Sequence, residues 1–543
     1  MGTICGHFVS RGTRASTDIY DMLKKMEHRG PDAHGIYLDG KISTSEESLD
    51  LLKGDLSKES RIALGHSTLS IVENKQNVQP YVSCDGILAF IQNGEIYNHD
   101  ELGTLLLHHH HLSSQSSREI LVHLLEETYR GNLLEAVKKV IGILDGMYAI
   151  AVTDGKSIVV ARDPVGKKPV YYITSNGATY FASEKKALWN GKDDPKRLNP
   201  GDILLIDETG VHVHEGYHLQ LPQIDVVDFR EAIELYKEAL TGAIKKRVAS
   251  LRESRIGVIF SGGIDSVLVS KLLSREGKNT VCYCTGTEDS GDILAAQSVA
   301  KELGLELKTT IIDEDIVENI LPDIIRDVEE IGLLQVEVAI PMYLAARLAA
   351  TDDVRVMFTG QGADELFAGY PWYNDVLTQY GYLRLHEKLW EDLNLAYADT
   401  LEREDKLTMA HSIELRAPYL DRDVIHTGMR ISPRLKIDGA DDLLRKRVHR
   451  QAAVELGVPP SLAFRLKAPA QSGSGIHSIV ENIARKHTNR VDPALVKENI
   501  RRDKGSIYRY GNGDYGKELT RFYLQNIQES IKRKYIPEFL TVS

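Results

Sequence analysis

The chain has 543 residues, 42% of them hydrophobic and 27% charged, which suits a globular protein of two or three domains. With 66 Lys and Arg against 78 Asp and Glu the net charge is −12, a balance that argues against non-specific binding to nucleic acid or to anionic membranes. Four cysteines without CxxC spacing exclude a disulfide scaffold, and there is neither a basic-then-apolar leader nor a run of eighteen apolar residues. The expected location is therefore the cytoplasm, with no nucleic-acid or membrane partner.

The first 215 or so residues are rich in short alternating strands. Ile87 to Gln92, Tyr148 to Thr153, Ser157 to Ala161 and Pro169 to Thr174 fit a period of two, with turns such as Asp154-Gly155 between them. Helices are expected near Ile19 to Met26 and Glu119 to Tyr129. The tract His108 to His111 reads as a solvated loop or helix end rather than a metal site, since no carboxylate cluster accompanies it. Leu198 to Asp202 reads as a turn, and the polar stretch Gln220 to Asp228 as a linker. An amphipathic helix, Arg230 to Val248, follows. Beyond it strands and helices alternate: strand Thr280 to Thr285, helix Ile293 to Leu303, a helix ending near Ala350, and strand Val354 to Phe358. Such alternation predicts a parallel sheet with crossover helices, and the rest of the chain reads as mostly helical. Cys282 and Cys284 lie two apart in a strand-like run and share one face as core or pocket lining.

Between that amphipathic helix and the strand at Thr280 lies Ser261-Gly262-Gly263-Ile264-Asp265-Ser266, after the apolar run Ile256 to Phe260 and before a helical segment. A strand, a glycine turn and a helix N-terminus make an anion cradle, because backbone N–H groups and the helix dipole converge on it. Asp265 beside bound phosphates is placed to hold Mg²⁺. No Gly-Lys-Ser/Thr follows, so this is not the Walker pattern; it resembles the loop of enzymes that split ATP into AMP and pyrophosphate.

Further motifs occur in one order: Cys5-Gly6, Arg29-Gly30-Pro31-Asp32, Gly65-His66, the run Asn93 to Asn98, Arg162-Asp163, and Phe181 to Glu184. Then come the run Thr359 to Phe367, the run Met409 to Asp421, and Arg465-Leu466-Lys467. Together they resemble the glutamine-dependent asparagine synthetases, over nearly the whole chain. The resemblance implies an α+β first domain over 1–215, a class II glutamine amidotransferase with antiparallel sheets layered αββα. It implies an α/β ATP-pyrophosphatase domain over 216–543, with a parallel sheet and a helical C-terminal part. The activity implied is a carbon–nitrogen ligase of the asparagine synthase type, using ATP and Mg²⁺. Its partners would be small molecules (aspartate or another carboxylate, glutamine or ammonia), and a homodimer stays open.

Residue by residue, the resemblance makes Cys5 the nucleophile, activated by its own α-amine, with Asn93 and Gly94 as oxyanion hole. Thr68, Ile71, Val72, Asn93, Glu95 and Ser117 match glutamine-binding positions. Ile259, Ser261, Gly262, Gly263, Asp265, Ser266, Thr285, Thr359 and Gly360 match ATP-binding positions, and Asp265 and Asp364 the metal ligands. Gln361 matches the adenylate-formation site, and Lys467 a lysine that stabilises developing charge.

The chain also departs from the pattern. Cys5 gains a free amine only if Met1 to Ile4 are removed. Thr68 and Ser117 replace the Arg and Asp that clamp glutamine, though Arg118 and Glu119 adjoin. Leu334 and Glu337 stand where the family has Thr and Arg near the acceptor, and Gln361, where relatives have Glu, cannot act as a base. Three other readings therefore stand beside asparagine synthesis: an ammonia-dependent ligase with a vestigial first half, a sister enzyme acting on another carboxylate, and a non-catalytic nucleotide-binding regulator.

Overall fold

The computed structural model describes residues 1–72, 78–106, 110, 117–190, 193–466, 476–488 and 515–535. The chain divides into two compact units, one of Met1–Gln220 with the chain end from Lys532, the other Leu221–Ile531.

The first unit is a sandwich of two antiparallel sheets. The seven-stranded sheet runs in the order Lys196–Arg197, Tyr171–Ser175, Ala178–Ala182, Gly2–Val9, Ile62–Thr68, Ala33–Leu38, Lys41–Ser45. The six-stranded sheet runs Gly210–Glu215, Asp202–Asp207, Ile158–Arg162, Gly146–Thr153, Ala89–Ile96, Tyr81–Val82. Side chains alternate along each strand, so each sheet feeds two cores. Ile4, Phe8, Leu64, Ala89, Ile91, Ala149 and Phe181 pack between the sheets. On the outer face of the seven-stranded sheet, Cys5, Val9 and Ile36 meet Ile19, Met22 and Leu23 of the helix Thr17–Lys25. On the outer face of the other, Phe90, Ile150 and Val152 meet Leu121 and Leu125 of Ser117–Thr128, and Val137 of Leu133–Ile141. The layers are helix, sheet, sheet, helix, as the expected αββα order has it.

The second unit is built on a five-stranded parallel sheet in the order Glu306–Ile311, Asn279–Gly286, Arg255–Ile259, Val356–Phe358, Glu414–Arg416. From Arg255–Ile259 the chain first adds strands on one side and later on the other. That strand and Val356–Phe358 therefore flank a topological switch point, where open α/β sheets bind ligands beyond their carboxyl ends. The helix Leu333–Ala350 is long and apolar enough to cross a membrane, but Val336, Ala339, Ile340, Leu344 and Ala346 are buried in the cores beside this sheet. Cys282 and Cys284 are both buried, and burial pushes each thiol up to about 12. Helices dominate after Glu414–Arg416.

Candidate active sites

In the first unit, alternation decides which residues meet. Asn93 lies two and four residues beyond Ile91 and Ala89, on the face turned toward the other sheet. Its Oδ1 accepts the Gly2 N–H at 3.2 Å. Cys5 lies on the opposite face of its strand, in the core under Thr17–Lys25, where a Cβ on its cross-strand partner Gly65 would sit 2.9 Å from its Sγ. Burial, with the Asp18 charge adding, pushes the Cys5 thiol well up, away from the thiolate a nucleophile needs. The structure thus does not bring the expected nucleophile to the expected oxyanion hole. Nor is there slack at the strand's start. Met1 O accepts the Leu69 N–H at 2.8 Å, Ile4 N–H donates to Ser183 Oγ at 3.0 Å, and a Cβ on Gly2 would lie 1.8 Å from Ser67 O. Losing Met1 to Ile4 would strip the sheet of the pairs Gly2 with Thr68, Thr3 with Ser67 and Ile4 with His66.

Thr68 is buried, with its hydroxyl hydrogen-bonded to His66 Nδ1 at 3.1 Å, while His66 Nε2 lies 3.1 Å from Gln92 O and 3.0 Å from Gln79 Nε2. Burial, then the N-terminal amine and Arg118, hold the His66 pKa well below its usual value, so the ring is neutral. Ile71 and Glu95 are buried, Val72 is half-buried, and Gly94 pairs with Tyr148 on the neighbouring strand. Ser117 opens the helix Ser117–Thr128, and the adjoining Arg118 and Glu119 are both buried.

In the second unit the phosphate loop lies where the sequence placed it, between the strand Arg255–Ile259 and the helix Ile264–Arg275. Gly262 has φ +67°, and a Cβ there would stand 2.9 Å from the backbone of Ala295 and Ala296, so only glycine fits. Ser261 is exposed and Ser266 buried. Ile259 is half-buried against both neighbouring cores. Thr285, at the end of its strand, donates to Pro341 O at 2.6 Å. Thr359 and Gly360 follow Val356–Phe358, and the Gln361 N–H donates to Thr359 Oγ1 at 3.3 Å. Lys467 lies outside the described residues.

The two expected metal ligands do come together, around a residue the motifs did not single out. Lys446 Nζ stands 2.6 and 2.7 Å from the Asp265 carboxylate oxygens and 2.7 Å from Asp364 Oδ1. A Cβ on Gly369 would fall 1.9 Å from Asp364 Oδ1 and 2.2 Å from Lys446 Cε, so the missing side chain is what leaves room for this cation cradle. Two carboxylates converging on one point are a donor set that fits a hard divalent cation such as Mg²⁺. Asp265 is backed by His449, whose Nε2 lies 3.1 Å from its Oδ1, and the Tyr236 hydroxyl is hydrogen-bonded to His449 Nδ1 at 2.7 Å. Burial lowers the His449 pKa although Asp265 opposes it, so the ring is neutral. Tyr419 O–H donates to Asp265 O at 2.9 Å. Beyond Thr359, the buried Glu404 has its pKa raised to about 7, chiefly by burial, although the Thr359 hydroxyl donates to it. Glu337 is buried with its pKa raised by burial, and His477 Nδ1 lies 2.6 Å from its carboxylate. Leu334 is half-buried near the start of the same helix.

An asparagine synthase family model matches residues 235–384 and 378–503, and a glutamine amidotransferase domain model matches 53–206. A Methanocaldococcus jannaschii protein named "Putative asparagine synthetase (glutamine-hydrolyzing) 1" is 32% identical over 90% of this chain and 96% of its own. The chain belongs to the asparagine synthetase family. Similar members include the probable asparagine synthetase of Dictyostelium discoideum, 27% identical over 87% of this chain and 84% of its own. Asparagine synthetase 2 of rice, Oryza sativa subsp. japonica, is 28% identical over 84% and 74% respectively. Membership makes the enzyme class a carbon–nitrogen ligase. Lys446, His449 and Glu404, which the structure places around Asp265, Asp364 and Thr359, are residues that the motifs did not single out. Lys446 and His449 sit in Arg445-Lys446-Arg447-Val448-His449-Arg450, a charged run that looks like a solvated helix face.

Proposed function

We propose that this chain adenylates a carboxylate with ATP, aspartate being the leading acceptor, and amidates it with free ammonia. The observation that carries the adenylation is the convergence of Asp265 and Asp364 on one point beside the glycine loop, at the switch point of the parallel sheet. Ser261, Gly262, Gly263 and Ser266 would cradle the phosphates at the helix N-terminus, with Ile259, Thr285, Thr359 and Gly360 along the adenosine. Asp265 and Asp364 would hold Mg²⁺, which when bound offsets phosphate charge. The acceptor oxygen attacks the α-phosphorus and pyrophosphate leaves. Ammonia then attacks the acyl carbon, AMP leaves, and one proton must be taken up. Gln361 cannot take it, whereas Glu404, with a pKa near neutrality and a hydrogen bond to Thr359, can. Lys467 would add positive charge at the acyl phosphate, the role its motif carries in the family.

A second observation favours ammonia over glutamine. Cys5 faces the helix core while Asn93 faces the other sheet, and Thr68 spends its hydroxyl on His66 in place of a charged clamp. A glutaminase half without an aligned nucleophile supplies no nitrogen. Pyrophosphate and glutamate release, measured with ATP, Mg²⁺ and aspartate plus either ammonium or glutamine, tests both parts. Ammonium should support turnover, Cys5→Ala should leave that turnover unchanged, and Asp364→Asn should abolish it. Glutamate release keeping pace with pyrophosphate would overturn the ammonia reading. Near-normal turnover by Asp364→Asn would overturn the adenylation site.

A further inference from the structure

In the first unit four side chains of metal-ligating type gather, among them His110 of the tract His108 to His111, which reads in the sequence as solvated for want of carboxylates; Glu126 and Glu127 supply them in the fold. Cys84, His110, His123 and Glu126 place one ligand atom each within 4.8 Å of one another. The turn Ser83 to Gly86, closed by the Gly86 N–H to Ser83 O bond at 2.9 Å, presents Cys84. His123 and Glu126 are three residues apart on the helix Ser117–Thr128, so they share one face.

The spacing of the donors fits a tetrahedral ion. Cys84 Sγ lies 3.5 Å from His110 Nδ1 and 3.7 Å from His123 Nδ1. Glu126 Oε2 lies 3.0 Å from His123 Nδ1 and 3.5 Å from His110 Nδ1. A tetrahedron with zinc–ligand bonds of about 2.0–2.3 Å has edges of about 3.3–3.7 Å. Three of the four measured edges fall in that range and the fourth is shorter. The groups behind the ligands are also arranged as such sites require. The other ring nitrogen of His110, Nε2, donates to Glu127 Oε1 at 3.0 Å, the carboxylate–histidine pairing that fixes a ligand's tautomer. The Glu126 carboxylate is steered by the N–H groups of Cys84 and Asp85, each at 3.1 Å. His123 is buried, with His110 and Glu126 half-buried and Cys84 at the surface, which leaves an entry path.

We propose that Cys84, His110, His123 and Glu126 bind a structural zinc ion. Four protein ligands leave no open position, so the site is closed and holds structure rather than doing chemistry. Binding requires the Cys84 thiolate and neutral imidazoles, and the thiol proton goes to solvent. The ion would tie the turn preceding the strand Ala89–Ile96, which carries Asn93, to the helix that packs on that strand's outer face.

Metal content of the full chain after zinc loading and exhaustive dialysis tests this, together with the spectrum of the cobalt-substituted protein. About one zinc per chain is expected, with a cobalt–thiolate charge-transfer band and tetrahedral ligand-field bands. Cys84→Ser, at an exposed position where folding should survive, should lose the charge-transfer band, and Glu127→Gln should weaken affinity about 10–100-fold. In the wild type, chelation should lower Tm and raise the reactivity of one thiol. Zinc-free wild-type protein, or cobalt protein whose spectrum is unchanged by Cys84→Ser, would overturn the site.

Discussion

Lys446 is where chemistry and stability meet most closely. Its ammonium is almost fully buried and bridges two carboxylates that would otherwise repel each other. It and the preceding Arg445 have φ of +53° and +51°, a region non-glycine residues rarely adopt, and one that clusters at functional sites. The lysine thus occupies the point toward which a divalent ion would be drawn, and the two cations compete for the same oxygens. Removing one member of a buried ion cluster costs about 3–5 kcal/mol, because the remaining charges stay desolvated. Lys446→Met should therefore lower the Tm of the metal-free protein, yet Mg²⁺ should then raise Tm by more than it does in wild type. Calorimetry across a Mg²⁺ titration reads both effects. A variant whose Tm responds to Mg²⁺ no more than wild type would show that Asp265 and Asp364 are held for structure alone.

Elements were legible to the degree that their signals are local. Ile87 to Gln92 and Tyr148 to Thr153 announce themselves by alternation, although the first strand runs Ala89–Ile96 and so includes the Asn93 motif, and Phe229–Ala249 by its apolar stripe; its cap Asp228, whose side chain accepts the Glu231 N–H at 2.8 Å, reads in the sequence as linker. The edge strand Glu306–Ile311 reads Glu-Leu-Lys-Thr-Thr-Ile and carries too little apolar pattern to be seen. Glu414–Arg416 is three residues long and passed for motif alone. Parity was the costlier loss. A cysteine near the N-terminus looks like a nucleophile until the strand's alternation turns it to the helix side. The sequence misleads at the Cys84 cluster: the tract His108 to His111 is plain in it, but the partners of His110, namely Cys84, His123 and Glu126, are spread over more than forty positions and meet only after folding. The glycine loop, by contrast, was fully legible, since a left-handed turn leaves a residue-level mark. Gly262→Ala puts a Cβ against the Ala295 and Ala296 backbone and forces an L-residue into φ +67°, worth about 1–2 kcal/mol before any clash. Pyrophosphate release should fall by at least about tenfold, the rate equivalent of ~1.4 kcal/mol. Unchanged turnover with unchanged Tm would mean that the loop relaxes freely and does not cradle phosphate in this conformation.

At the scale of the whole molecule, a buried charge contributes one distinct slope to the response to pH. Lys436 is fully buried, closes the short helix Pro433–Lys436, and points its Nζ at the Phe367 ring, 5.9 Å from the centroid. Burial alone lowers its pKa to about 7, whereas an unfolded chain holds the proton to about 10.4. Between those values the unfolded state binds more protons than the folded one, so this group makes stability rise with pH; below about 7 its penalty is constant. Cys282 and Cys284 pull the other way, because their folded pKa values of about 12 let the unfolded chain lose protons first as the solution turns alkaline. The bare pH profile of Tm therefore mixes opposing slopes, and the informative quantity is the difference between wild type and Lys436→Met. That variant keeps the apolar stem and discards the charge. It should be more stable at pH 7, and its advantage should shrink steadily toward pH ~10. Thermal unfolding at matched ionic strength across that range measures the difference directly. A pH-independent difference would show that the lysine is charged in the folded protein throughout, neutralised by an anion that the short helix and the aromatic ring alone do not supply.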